Sequence, residues 1–268
     1  MYLTEEPLST AQTSFDTHGP LAILTFTRPE ARNAMTWEMY DALVDACEQV
    51  DTDESLRVLI LRGAGGKAFI AGTDIAQFES FTSPGHGVEY ERRLDAVLDR
   101  LERVTKPTIA QVQGVAAGGG CAIALCCDLR IATADATFGV PIARTLGNCL
   151  SADTCNRMLS LLGPARFKEI MFTGRFVHAT EAHALGLVNR IVDAADIDHA
   201  VREMAASIAA NAPLTIRAVK ELTRRLLARQ RLAPGEDRDV IEMCYTSNDF
   251  REGVSAFLSK RQPQWTGT

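Results

Sequence analysis

Three consecutive glycines, Gly118, Gly119 and Gly120, stand directly ahead of the apolar run CAIALCC. A glycine inside a helix costs about 1 kcal/mol relative to alanine, so three together mark a helix start or a close approach to the backbone. At a helix start the first N–H groups lack intrahelical acceptors and carry the positive end of the dipole. With no Cβ atoms beside them, they can receive an anion or an oxygen that gains charge during a reaction. A second glycine-bearing turn, Ala71-Gly72-Thr73-Asp74, follows the apolar pair Phe69-Ile70. One amide from each turn can converge on a single carbonyl oxygen. Tight helix–sheet packing without a ligand accounts for the glycines equally well, and residue types alone do not separate the two readings.

Other chemistries find less support. The glycines follow neither the dinucleotide pattern G-x-G-x-x-G nor the phosphate-loop pattern G-x-x-x-x-G-K-[ST], and no G-x-S-x-G elbow occurs. The seven cysteines, Cys47, Cys121, Cys126, Cys127, Cys149, Cys155 and Cys244, lie mostly in apolar runs without zinc-like spacing. They read as reduced, mostly buried thiols of a cytoplasmic protein, and no metal is expected. The net charge of −6, with no Lys/Arg run, leaves no footprint for nucleic acid. No apolar run is long enough to span a membrane, and the start, MYLTEEPLSTAQTSF, lacks the pattern of a signal peptide.

Strands and helices alternate around these turns. PLAILTFT (20–27), LRVLILRG (56–63) and PTIAQVQG (107–114) read as strands, and DLRIATADATFG follows at 128–139. Between them, residues 33–50 carry Met35, Met39, Leu43, Ala46 and Val50 at helical spacing, and 89–104 is amphipathic. GGKAFIAGTDI (65–75) reads as a connection and ESFTSPGHG (79–87) as a mobile loop. The recurrent order of strand, glycine turn, then helix or short strand argues for an α/β fold with right-handed crossovers around one core. After Pro164 the pattern becomes nearly all helical. A boundary near Ala200 divides a core, residues 1–200, from a helical segment, 201–268. With 268 residues and 46% hydrophobic content, the chain can build a sizeable core.

The sequence resembles the enoyl-CoA hydratase/isomerase, or crotonase, superfamily. The resemblance rests on LTFTRPEARNAMTWEMYDAL (24–43), KAFIAGTDIAQF (67–78), KPTIAQVQGVAAGGGCAIALCCDLRIATADATFGVP (106–141), EAHALGLVNRIV (181–192) and EGVSAFLSKRQPQW (252–265), in family order over nearly the whole chain. It implies a spiral core of ββα units, a C-terminal segment that builds homotrimers or dimers of trimers, and an acyl-CoA thioester as ligand. No separate cofactor is implied, coenzyme A being part of the substrate. The N–H groups of Thr73 and Gly119 take the place of the family oxyanion hole, which stabilises an enolate. Ala31, Arg32, Lys67, Ala71, Asp74 and Ile75 fall on positions that contact coenzyme A, and Phe257 and Lys260 match a pair that often reaches a neighbour's coenzyme A.

The resemblance breaks at the acid–base residues. Hydratases of the family carry one glutamate after Gly-Gly-Gly-Cys and another after Phe-Gly-x-Pro; this chain has Ala122 and Ile142 there. Water addition needs a base for the water and an acid for the α-carbon, and neither side chain supplies one. Simple hydration is therefore doubtful. The segment 142–155 should line the acyl pocket, where Arg144 can orient a substrate carboxylate or face solvent, Cys149 can be a nucleophile or a structural thiol, and Asp153 can cap a helix. Asn148 and Ser151 are also present there. His86 and Glu89 could bring acid–base groups from the loop or lie on a solvated face. Asp128, His178 and His183 read as structural. Enolate chemistry on an unusual acyl-CoA is the leading expectation. The alternatives are a non-catalytic acyl-CoA-binding trimer and a thioesterase acting through Cys149 or Ser151.

Overall fold

The structure is a computed structural model that describes residues 12–81 and 83–268. A hairpin of β1 (Thr13–His18) and β2 (Leu21–Phe26) leads through a 3₁₀ turn, Pro29–Ala31, into α1 (Trp37–Thr52). A strand–strand–helix unit then repeats. The first is β3 (Val58–Gly63), β4 (Ala68–Ile70), a 3₁₀ turn at Ile75–Ser80 and α2 (Pro84–Glu102). The second is β5 (Thr108–Val112), β6 (Val115–Ala117) and α3 (Gly119–Cys126). The third is β7 (Leu129–Thr133), β8 (Thr137–Gly139), α4 (Ile142–Thr145) and α5 (Ala152–Thr173). Then come β9 (Val177–His178), α6 (Ala179–Ala184), β10 (Arg190–Val192), α7 (Ile197–Ala209), α8 (Pro213–Ala228), α9 (Arg238–Tyr245) and α10 (Asn248–Leu258).

Each unit sends its first strand to one sheet, ordered β1-β2-β3-β5-β7-β10, and its second to another, ordered β4-β6-β8-β9. The chain thereby advances one strand spacing per turn, and neighbouring units pair in parallel. The large sheet is covered on both faces, as parallel strands require. Leu21, Ile23, Val58, Ile60, Ile109 and Ile131 meet Ile197, Val201 and Ala205 of α7. The alternate residues, among them Leu24, Phe26, Leu59 and Leu61, join the main core with Met39, Leu43 and Val50 of α1. The expected α/β spiral of ββα units is the observed fold.

Several local readings are corrected. Met35 is not in the first helix: α1 starts after Thr36, whose Oγ accepts the Met39 N–H at 3.4 Å, and Met35 bridges Thr73 in extended form. The stretch 65–75 is not a bare connection but contains β4, three residues buried among neighbours. The stretch 79–87 is largely helical rather than an irregular loop: Ile75–Ser80 is a 3₁₀ turn and α2 begins at Pro84, with Thr82 outside the described residues. The region after Pro164 is not purely helical, because β9 and β10 complete the two sheets. Two and three residues are too short to show a period. Asp153 is not a cap; Ser151 is, with Oγ accepting the Thr154 N–H at 3.1 Å.

A buried asparagine ties the site-bearing loops together. Asn33 is fully enclosed, with φ +57°. Its Oδ1 accepts the Arg28 N–H at 3.0 Å, and its Nδ2 donates to the carbonyls of Ala64 at 3.0 Å and Ala68 at 2.9 Å. One side chain thus joins the ends of β2 and β3 to the start of β4. Asparagine is among the few residues that tolerate this left-handed backbone while offering both a donor and an acceptor. Asn33→Ala is expected to lower unfolding free energy by about 2–4 kcal/mol. Asn33→Gly should recover no more than about 1 kcal/mol of that loss, because it restores only the backbone freedom. Urea denaturation of the three proteins measures both.

Candidate active site

The two glycine turns lie against one another. Met35 zips onto the upstream turn by donating its N–H to the Gly72 carbonyl at 2.8 Å and accepting the Asp74 N–H at 2.9 Å. That pattern leaves the intervening Thr73 N–H directed away from Met35. Gly72 has φ +115° and Gly118 has φ +50°, conformations that glycine adopts freely. A Cβ placed on Gly118 would sit 3.6 Å from the Gly72 Cα. The Gly118 N–H donates to the Gly139 carbonyl at 2.9 Å, whereas the N–H groups of Thr73 and Gly119 have no acceptor among the described residues.

The Thr73 hydroxyl bridges two buried phenols, with Tyr40 Oη and Tyr90 Oη each 2.8 Å from its Oγ. Burial pushes both phenols above their ordinary pKa, so they stay protonated and remain available as donors. A Cβ on Gly119 would lie 2.5 Å from Tyr40 Oη and 3.1 Å from Thr73 Oγ. Glycine at 119 is therefore a requirement of this packing as well as of any ligand. At the opposite end of α3, the buried Arg130 donates through Nη1 to the carbonyls of Cys127 at 2.7 Å and Ala124 at 3.1 Å. The cation satisfies carbonyls that the helix end leaves free and complements its negative pole.

The first family of expected contacts is assembled around these turns. Ala71 N–H donates to the Arg32 carbonyl at 3.0 Å, and Arg28 pairs with Asp74 at 3.2 Å, so Ala31, Arg32, Ala71, Asp74 and Ile75 are brought together. Lys67 is exposed at the start of β4. Phe257 and Lys260 are exposed at the end of α10. Ala122 and Ile142 are buried in the main apolar core. Arg144 is exposed and packs its Cβ by Gly174. Glu89 forms a solvent-facing pair with Arg92 at 2.6 Å, and the His86 ring lies 5.8 Å from that of Phe81. Asp128 binds Thr108 and Lys220. His183 binds the Val188 carbonyl at 2.8 Å, and His178 is exposed ahead of α6. A cavity of about 740 Å³ lies away from the turns, between α3, α5 and α8.

A buried carboxyl group stands near the aromatic wall of the site and was not anticipated. Glu91 is 2% exposed, accepts the Tyr245 hydroxyl at 2.5 Å and the Ser151 N–H at 3.2 Å, and follows Tyr90 in α2. Asn148 Nδ2 donates to Tyr245 Oη at 3.1 Å. The Tyr245 ring packs on Phe250, Phe81 and Phe78. Helical periodicity of α2 shows only the residue's face, and an acidic side chain there reads as solvated. Its partner is 154 residues away, so nothing local announces it.

Burial pushes the Glu91 carboxyl up to about 8 against the hydrogen bonds from Tyr245 and Ser151. The folded-state pKa exceeds the unfolded one, so the associated stability is complete below about 4.5 and is lost as pH rises towards 8. Glu91→Gln cannot ionise. The stability of the wild type relative to this variant should fall by a few kcal/mol, in order of magnitude, between pH 4.5 and 8.5. Parallel melting curves at stepped pH check this; curves that stay parallel would assign Glu91 an ordinary pKa.

Comparison with known proteins agrees with this architecture. The profile of the family described as "Enoyl-CoA hydratase/isomerase" matches residues 16–268. A crotonyl-CoA hydratase of Syntrophomonas wolfei is 33% identical over 243 residues, covering 90% of this chain and 93% of the relative. A solved enoyl-CoA hydratase/carnithine racemase of Magnetospirillum magneticum is 33% identical, with TM-score 0.78 and 97% of each chain covered. A methylmalonyl-CoA decarboxylase solved with 2-nitronate-propionyl-CoA is 28% identical, with TM-score 0.87 over 96% of this chain and 99% of the other. With nearly the whole length matched, and with the two-sheet spiral in place, this chain belongs to the enoyl-CoA hydratase/isomerase family.

Proposed function

We propose that this chain binds an acyl-CoA thioester and stabilises its enolate through the N–H groups of Thr73 and Gly119. The observation that carries the reading is the contact between two glycine turns whose two inner amides have no acceptor among the described residues. A thioester oxygen placed between them becomes more negative as the enolate forms, so the amides bind the transition state better than the ground state. The positive end of α3 adds to the same field. Arg32 and Lys67, both exposed near the turns, suit the phosphates of coenzyme A.

Within that chemistry, the residues favour loss of a carboxylate from a 2-carboxyacyl-CoA over addition of water. In decarboxylation the bond between the α-carbon and the carboxylate breaks, carbon dioxide leaves, and the electron pair moves into the enolate. No protein base is needed for that step, and solvent water then gives the proton to the α-carbon and leaves as hydroxide. Ala122 and Ile142 supply no carboxylate for hydration but impose no obstacle here. The backbone is nearer to that of the decarboxylase, TM-score 0.87 against 0.78, while the sequence identity is lower, 28% against 33%. Crotonyl-CoA should be hydrated about 10²–10⁴-fold more slowly than by an enzyme with both carboxylates. A 2-carboxyacyl-CoA such as methylmalonyl-CoA should release carbon dioxide. Hydration at the full rate would overturn the assignment, and tight binding of both thioesters without any product would instead support a non-catalytic binder. Gly119→Ala, which drives a methyl group into Tyr40 Oη, should lower turnover about 10²–10³-fold.

The chain assembles as a homotrimer or a dimer of trimers in this reading. No residue of α8 is buried, and Leu214, Leu222 and Leu226 repeat at turn spacing along it while 59–77% exposed. Such a stripe marks an interface. Light scattering should give three or six times 29.2 kDa, and Leu222→Glu with Leu226→Glu should reduce it to the single-chain mass.

A further inference from the structure

Two cysteines from distant parts of the chain meet beside the Glu91–Tyr245 pair. Cys149 lies in the connection between α4 and α5, and Cys244 lies near the end of α9. The Cys149 Sγ is 3.8 Å from the Val240 carbonyl, one helical turn before Cys244 on the same face of α9. In an α-helix that carbonyl is the acceptor of the Cys244 N–H, so the contact holds Cys149 within reach of Cys244. Their sequence neighbours are joined as well, since Asn148 Nδ2 donates to Tyr245 Oη at 3.1 Å. Cys244 also lines a cavity of about 330 Å³ with Met243, Ser247 and Trp265, all outside the core clusters. Cys47, Cys121, Cys126 and Cys127, by contrast, are deeply buried.

We propose that Cys149 and Cys244 form a peroxide-sensitive dithiol that closes to a disulfide. Cys244 opens onto the cavity, and the neighbouring Cys149 thiol lowers its pKa below the ordinary thiol value, which makes Cys244 the attacking thiolate. The Cys244 thiolate attacks one oxygen of hydrogen peroxide; the S–O bond forms, the O–O bond breaks, and the departing hydroxide takes a proton to become water. Cys149 then attacks the sulfenic sulfur; the S–S bond forms, the S–O bond breaks, and a second water leaves with the thiol proton. The two sulfurs lose two electrons and the peroxide gains them. Cys149 is the resolving thiol because its neighbour contact already holds it over α9. The cross-link fastens the α4–α5 connection to α9, and so clamps Asn148 on Tyr245 and the tyrosine on Glu91. This device is independent of which thioester the turns bind.

Peptide mapping of the intact protein tests the assignment. Trypsin releases Cys149 together with Cys155 in residues 145–157, and Cys244 in residues 239–251. After one equivalent of hydrogen peroxide, non-reducing mass spectrometry of a Cys155→Ser variant should show these two peptides joined, about 2 Da lighter than their reduced sum. Two free thiols should disappear and return with dithiothreitol. Cys149→Ser and Cys244→Ser should each abolish the link, with circular dichroism verifying that both variants fold. A link that vanishes in Cys155→Ser, or oxidation of Cys244 to the sulfinic acid without any link, would overturn the proposal.

Discussion

The close contact between backbone at Gly119 and the Tyr40–Thr73–Tyr90 hydroxyl bridge is the constraint on which the site depends. The bridge fixes the upstream turn, because Thr73 Oγ is held from two sides. It fixes the downstream turn by leaving no room for a side chain at 119. The two inner amides are therefore placed by three hydroxyl groups outside the amides themselves. Such preorganisation is what makes backbone donors useful in a reaction, since no reorientation is required when charge develops. The arrangement also explains why three glycines are grouped: Gly118 supplies the left-handed turn, Gly119 yields space to Tyr40, and Gly120 meets the backbone and side chain of Ile70.

Much of this was legible in residues 20–27, 56–63 and 107–114, whose apolar runs became β2, β3 and β5. Their length and their bounding glycines and prolines suffice to separate them from helices. The short strands β4, β6, β9 and β10 were not legible as strands, since two or three residues display no alternation. They exist because each fills one place in a sheet set up by its longer neighbours. The glycine turns could be identified by composition, but their contact could not: it depends on Asn33 and Met35, which hold residues 64–74 against 28–35. Asn33 carries no local signal beyond its compatibility with a left-handed backbone.

Glu91 was hidden for a different physical reason. In α2 its neighbours are Arg92 and Arg93, and charged residues in an amphipathic helix usually face water. Only the approach of Tyr245 from α9 and of Ser151 from the start of α5 turns this position inward. Their two donated hydrogen bonds do not offset the desolvation, so the carboxyl group is held neutral through most of the physiological range. A group of this kind is costly to retain unless the surrounding polar network requires it. Here it joins α2, α5 and α9 at one point, a junction that a hydrocarbon of equal size would not orient.

Under the proposed reading, apolar Ala122 and Ile142 beside the pair of turns mark a division of labour within the fold. The turns depend on backbone geometry distributed over β2, β4, β6 and α3, so altering them would disturb the core. Residues 122 and 142 only point side chains inward, and Ala122 and Ile142 pack in the apolar cluster without breaking any backbone contact. The side chains at 122 and 142 can therefore vary while the two turns keep their geometry. The proposed substrates bring their own driving group, since a carboxylate entering apolar surroundings is destabilised relative to water. In the proposed reaction its departure as neutral carbon dioxide would relieve that penalty as negative charge passes to the oxygen between the amides, so hydrocarbon at 122 and 142 would select which bond the turns help to break.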